Sequence, residues 1–195
     1  NMTLLHYASS LGYYDVSHAL MKKEADPEAM DGKYWLPCHW ACYRGHDKLA
    51  LSFIDEYGVL VDSLTKDQMT PFFIACMKNN QNLAAELLKR DANINHCNKD
   101  GETSLLQACY SNSTSIALWL LDQGADPNIG KPNGFMPLHW ACRHGQFQLA
   151  LKLLMCGAEV DARTENGDTP IMFLPDEPGN DSTLRKALID RNADM

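Results

Sequence analysis

The chain of 195 residues lacks any apolar run long enough to cross a bilayer. The longest, such as Ile116–Leu121, fall far short of the roughly 20 residues needed. Positive charge is scarce: 17 Lys and Arg stand against 25 Asp and Glu, a net charge of −8. That balance argues against a nucleic-acid backbone as main partner, since such binding needs a basic footprint. The seven cysteines are an odd number, so no closed disulfide set is possible without a free thiol. The opening Asn1-Met2-Thr3-Leu4-Leu5 has no basic stretch leading into an apolar one, so no secretory leader is expected. No glycine-rich phosphate loop is present, because the glycines fall at turns and helix ends. What remains is the balance of an ordinary soluble globular protein, 45% hydrophobic and 22% charged. Its length suits one domain, or two at most.

What the chain does contain is internal repetition. Thr3–Ala8, Leu36–Ala41, Thr70–Ala75, Thr103–Ala108 and Met136–Ala141 align at a nearly constant interval, with Thr169–Leu174 as a looser sixth. Pro37, Pro71, Pro137 and Pro170 follow the first aligned residue, where a missing N–H costs a helix nothing. A short helix is expected from there to Gly12, Gly45, Asn79, Asn112 and Gly145, residue types that tolerate the left-handed conformation. A second helix is expected to carry one apolar stripe: Leu49, Phe53 and Ile54; Leu83, Leu87 and Leu88; Ile116, Leu120 and Leu121; Leu149, Leu153 and Leu154. It closes at strings such as Glu24-Ala25-Asp26 and Gly124-Ala125-Asp126, and a polar turn such as Asn98-Lys99-Asp100-Gly101 follows. Pairs of helices this short cannot bury their stripes alone, so neighbouring pairs must stack.

This evenly spaced helix–turn–helix unit, with its TPLH-like and G-A-D strings, resembles the ankyrin-repeat family over essentially the whole chain. The resemblance implies an all-α fold, an ankyrin-repeat solenoid of stacked helix–turn–helix units with β-turn fingers. It implies a single domain, residues 1–195, with repeats near 1–30, 31–64, 65–97, 98–130, 131–163 and 164–195. Three departures are expected to matter. An extra residue near Tyr57, ahead of Gly58, should bulge the end of the second repeat's second helix. Pro175 and Pro178 should stop the sixth repeat's first helix early and lengthen the loop that follows. The first repeat has no finger or polar cap, so the chain is expected to be a fragment of a longer protein.

Cys38, His39 and Cys42, or His139 and Cys142, mimic metal-ligand spacing, and Cys97 and Cys156 could add thiols. Cys42, Cys76, Cys109 and Cys142 nonetheless share one register position, where free Cys packs as a small hydrophobe. Equal positions in successive repeats stand too far apart to share a metal at bond lengths near ~2.3 Å. The reading is therefore no metal, no cofactor and no enzyme, with reduced thiols pointing to an intracellular and most simply cytoplasmic location. By the resemblance, His6, His39 and His139 hydrogen-bond the repeat's Thr and nearby backbone. Only the first repeat keeps both partners, Thr3 and His6. Trp40 and Trp140 are read as packing residues.

The resemblance also implies that binding residues lie one place before each repeat start and seven or eight after it. These are Trp35, Met69, Glu102, Phe135 and Asp168 on the fingers. On the first helices they are Ser10, Leu11, Tyr43, Arg44, Met77, Lys78, Tyr110, Ser111, Arg143, His144, Asp176 and Glu177. Tyr34 adds a ring where the finger normally has Gly. Exposed aromatic residues and Met mark interfaces, so the concave side of repeats two to five is the candidate site for a peptide or folded protein, as in a scaffold or adaptor. Acidic Glu102, Asp168, Asp176 and Glu177 would bias its C-terminal end toward basic partners. The fragment itself is expected to be monomeric, without nucleic-acid binding or membrane insertion. The alternative is a ligand-sensing regulatory domain of a larger channel, kinase or other enzyme, with Tyr34, Trp35 and Tyr43 caging a cationic group beside Asp31 or Asp67. Leu51, Leu118, Trp119 and Leu151 would form a second apolar stripe if they face outward. Because most repeats lack one of the Thr–His partners, the chain should melt in guanidinium earlier than an array of idealised repeats. An equally late, equally cooperative transition would contradict that expectation.

Overall fold

The structure, a computed structural model, describes residues 2–175 and 181–190. Asp176, Glu177, Pro178, Gly179 and the closing Asn192-Ala193-Asp194 lie outside the described residues. Every regular element among the described residues is helical. The chain divides into two compact units, residues 1–99 and 100–195.

In the first unit α1 (Leu4–Leu11) pairs with α2 (Tyr14–Lys22), α3 (Pro37–Arg44) with α4 (Asp47–Asp55), and α5 (Pro71–Met77) with α6 (Gln81–Leu88). First helices pack on first helices, α1 on α3 and α3 on α5, while α4 packs on α6. The second unit repeats the scheme with α7 (Ser104–Tyr110), α8 (Thr114–Asp122), α9 (Pro137–Arg143) and α10 (Phe147–Met155). It is followed by a single 3-10 turn, Pro170–Phe173, and by α11 (Asp181–Ile189). Among the described residues that turn is all that forms of the sixth repeat's first helix: Leu174 leaves it in extended backbone ahead of Pro175, the conformation a residue before proline prefers.

The core is the register stripe. Leu49, Phe53, Leu83, Leu87, Ile116, Leu120, Leu149 and Leu153 are all buried, with Ile54 and Leu88 half-buried at its margin. In the first repeat the equivalent Val16 is exposed. Cys42, Cys76, Cys109 and Cys142 fill their shared position as buried packing residues. Burial pushes the Cys109 thiol up, and a hydrogen bond with Cys38, then burial, does the same to Cys42.

Gly12, Gly45, Asn79, Asn112 and Gly145 all adopt positive φ between paired helices. At the far end of the second helices, Ala25, Ala92, Ala125 and Ala158 each donate an N–H to the carbonyl five residues earlier. In the second repeat the extra residue widens this closure by one, so that Val59 N–H reaches Phe53 O at 3.0 Å.

Each histidine of the aligned string lies buried and fixed at both ring nitrogens. Nδ1 accepts the backbone N–H of Thr3, Leu36 or Met136 at 3.0–3.1 Å. The proton therefore sits on Nε2, which donates forward: His6 to Trp35 O at 2.9 Å, His39 to Ser63 O at 3.0 Å, and His139 to Asp168 O at 3.3 Å. One imidazole thus caps its own helix and ties it to the segment that leads into the next repeat. Repeats three and four have Phe73 and Leu106 instead. There Thr70 and Thr103 cap the helices through their hydroxyls, which accept from Phe73 and Leu106 N–H.

Burial lowers His39 to about 4 and also depresses His139. An unfolded imidazole titrates near 6.5, so between about 6.5 and 4 the unfolded chain binds more protons than the folded one. The stability from neutral His39 is therefore complete above about pH 6.5 and is lost as pH falls through that window. Urea unfolding should show the chain losing about 2 kcal/mol between pH 7 and pH 5. His39→Gln should lower stability at pH 7 and flatten the slope; an unchanged slope would show that His39 is not its source.

Candidate interaction face

The fingers are hydrogen-bonded turns. Asp31 N–H donates to Trp35 O and Tyr34 N–H to Asp31 O, both at 3.0 Å. The pairs Thr65–Met69, Lys131–Phe135 and Thr164–Asp168 close their fingers in the same way. The fourth finger residue takes positive φ: 58° at Tyr34, 57° at Gln68, 81° at Gly134 and 83° at Gly167. Neighbouring fingers are joined through backbone, Lys66 N–H to Lys33 O at 3.1 Å and Lys99 N–H to Asp67 O at 2.9 Å in the first unit, and Glu165 N–H to Asn133 O at 3.0 Å in the second. A face built on them is presented on fixed backbone.

In the first unit Trp35 is the centre of the finger base. Its ring meets Trp40 at 5.0 Å, Tyr43 at 5.5 Å and His39 at 6.2 Å, and only 9% of its surface is exposed. Asp31 organises this base. Its Oδ1 accepts Lys33 N–H at 2.7 Å and Trp35 N–H at 3.0 Å, while Oδ2 accepts the Trp40 indole N–H at 3.0 Å. Burial opposes the charge, but these donors outweigh it and hold the carboxyl below its ordinary value. Outward of Trp35, half-buried Tyr43 lies beneath Lys78 Nζ at 4.4 Å, with the Arg44 guanidinium 5.8 Å from the same ring.

The second unit repeats the theme with other residues. Phe135 meets Trp140 at 5.1 Å, Phe173 at 5.4 Å and His139 at 5.6 Å. Tyr110 meets Trp140 at 4.9 Å, and His144 stacks over the same indole at 6.0 Å. Arg143 lies over Trp140 at 5.4 Å and Lys131 Nζ over Tyr110 at 5.1 Å. Lys131 also pairs with Glu102 at 2.6 Å. His144 Nε2 lies 3.1 Å from Tyr110 O. The buried Trp140 Nε1 has no hydrogen-bond partner among the described residues.

Measured against the residues expected from sequence, Arg44, Met77, Lys78, Tyr110, Arg143 and His144 are exposed, while Tyr43, Met69 and Phe135 are half-buried. Two expectations need correction. Trp35 is an interior residue, because three rings and the finger backbone enclose it. Glu102 is also buried and bound to Lys131, so it offers no free acidic charge. The aromatic cage does not form either: Trp35 and Tyr43 face each other edge to face, Asp31 is occupied by three donors, and Asp67 pairs with Lys99 at 3.4 Å. Leu51, Leu118, Trp119 and Leu151 are each half-buried, not an open stripe. Lys33, Lys66 and Lys99, exposed on consecutive fingers, were not among the residues expected from sequence. Their recurrence at the repeat interval was the signal that could have found them.

Comparison with known proteins agrees along the chain. Models for ankyrin repeats match residues 38–131 (three copies), residues 120–173 (many copies) and residues 1–32 (a single repeat). Among solved structures, the ankyrin repeat domain of Bcl-3, a unique member of the IkappaB protein family, superposes with a TM-score of 0.83 at 28% identity. The match covers 94% of this chain and 82% of that one.

The interior placement of Trp35 sets an expected contrast. Trp35→Ala should destabilise the chain by about 3–5 kcal/mol in denaturant unfolding, while Lys66→Ala and Arg44→Ala should each stay within about 0.5 kcal/mol. Equal effects would return Trp35 to the surface.

Proposed function

Because the chain belongs to the ankyrin-repeat family, we propose that it is a non-enzymatic module that binds a peptide or folded protein on its finger and first-helix face. Ankyrin repeats are generally protein–protein interaction modules. The observation that carries the assignment of the face is the exposure there of large side chains on a hydrogen-bonded frame. Tyr34 is 52% exposed, Tyr110 47% and Met77 38%, with the Lys78, Arg44, Lys131 and Arg143 cations set over aromatic rings beside them. Large apolar residues left in solvent beside Tyr and Arg are the composition of binding hot spots. Buried thiols of raised pKa and capped histidines fit a packing role for the residues that resembled chemistry. They also support the intracellular reading. No helix among the described residues is long and apolar enough to cross a membrane.

The test is hydrogen exchange with peptides selected from a displayed random library. Bound peptide should slow exchange in the fingers and first helices. Tyr43→Ala with Met77→Ala, or Tyr110→Ala with Arg143→Ala, should weaken binders of the corresponding unit by about 30-fold with helical circular dichroism unchanged. Protection confined to α2, α4, α6, α8 and α10 would overturn the assignment.

A further inference from the structure

Charge within the first unit is divided by side. Across residues 1–99, the fingers and first helices carry five cations, Lys33, Arg44, Lys66, Lys78 and Lys99, against two carboxylates, Asp31 and Asp67. The second helices and their connections carry five cations against ten carboxylates. Asp31 is occupied by the backbone N–H groups of Lys33 and Trp35 and the indole N–H of Trp40. Asp67 meets Lys99 in a surface pair with both side chains 59% exposed, an interaction of little strength. Among the described residues no carboxylate lies within ion-pair distance of Lys33, Arg44, Lys66 or Lys78. A chain of net charge −8 therefore presents a positive face on one side of one unit.

Two of these cations, Arg44 and Lys78, lie against an aromatic ring. Lys33 and Lys66 sit on fingers joined by Lys66 N–H to Lys33 O, and Tyr34 directly follows Lys33. Tyr34 holds φ at 58° and Gln68 at 57° where the second unit places Gly134 and Gly167 at the same finger position. A side chain in that conformation is strained, and exposure of the ring means that burial does not offset it. Retained strain at an exposed aromatic points to a binding use. Farther along the face, Lys78 and Arg44 bracket Tyr43, and Met77 stands exposed beside Lys78.

We propose that this face of the first unit docks an acidic polypeptide segment, with carboxylates against Lys33, Lys66, Arg44 and Lys78 and apolar side chains against Tyr34, Tyr43 and Met77. The inference rests on the interaction reading above and names the chemistry of the partner. A nucleic acid is also an anion, but its long backbone meets the field of the whole acidic chain. A short acidic segment answers mainly to charges within a Debye length of about 10 Å.

The experiment is selection from a random displayed-peptide library against the whole chain, with binders mapped by hydrogen exchange. Enrichment of Asp- and Glu-rich sequences that protect the first unit's fingers, α3 and α5 is the expected result. For such a peptide, Lys33→Glu with Lys66→Glu should weaken binding at least about tenfold at low salt, and the difference should narrow as salt rises. Tyr34→Gly should raise the melting temperature while weakening the same peptide. Neutral or basic sequences protecting the same face would overturn the acidic partner and leave the interaction reading standing. Protection of the second helices alone, or no enrichment, would overturn both. Charge reversal without effect, Tyr34→Gly with undiminished binding, or single-stranded DNA binding more tightly than the acidic peptides would each overturn the proposal.

Discussion

Helices of seven to nine residues are too short to persist in water by themselves, and that shortness governs the rest of the structure. Within each unit the apolar stripe of one pair is closed by its neighbour, so those seams need devices that fix spacing and orientation. The buried imidazole is one such device. It satisfies an otherwise unpaired N-terminal N–H through Nδ1 and reaches a carbonyl 24 to 29 residues ahead through Nε2. Because one ring does both tasks, helix capping and connection to the segment ahead are a single polar event in an interior where an unmade hydrogen bond costs about 1–3 kcal/mol. Where Phe73 and Leu106 replace it, the hydroxyls of Thr70 and Thr103 supply the cap, and packing alone fills the position.

The same constraint explains why the face proposed for recognition is open to vary. The seams consume the apolar stripes, the small Cys and Ala positions and the buried histidines, leaving many side chains of the fingertips and of the outer turn of each first helix outside the core. Fingers joined by backbone hydrogen bonds hold those side chains on a fixed frame, which reduces the ordering cost of binding. Residues in these places are free to differ between repeats, and their charge does differ within a chain of otherwise uniform architecture.

The periodic features of the fold were legible in the sequence. Pro at the helix start, Gly or Asn between helices and the apolar stripe each have a local cause that recurs with every repeat. Even the inserted residue near Tyr57 shows as a widened closure from Phe53 to Val59. The site was less legible, because exposure is decided by what packs against a residue, not by its own register. Trp35 occupies a position that faces outward by register, yet Trp40, Tyr43 and the Asp31 network fold around it. Glu102 looks like a free charge in the sequence because its partner, Lys131, belongs to the following repeat. The fingertip lysines were hidden by the opposite error, since single surface lysines look uninformative until backbone bonds set Lys33 beside Lys66.

One register position shows how the units keep one scaffold and present different chemistry. Asp31 and Lys131 stand four residues before Trp35 and Phe135, at the opening of equivalent fingers. As a carboxylate, Asp31 turns inward, accepts two finger N–H groups and holds the Trp40 indole. As a cation, Lys131 cannot accept, so it turns to Glu102 and the Tyr110 ring, and among the described residues the Trp140 Nε1 is left without a partner. The backbone turn is the same in both, closed by N–H to carbonyl bonds at 3.0 Å. A reversal of charge at one finger residue therefore changes which donors are satisfied and which ions reach the surface without disturbing the stack. It leaves the first unit with a closed Trp40 and the second with a buried indole N–H that has no partner among the described residues.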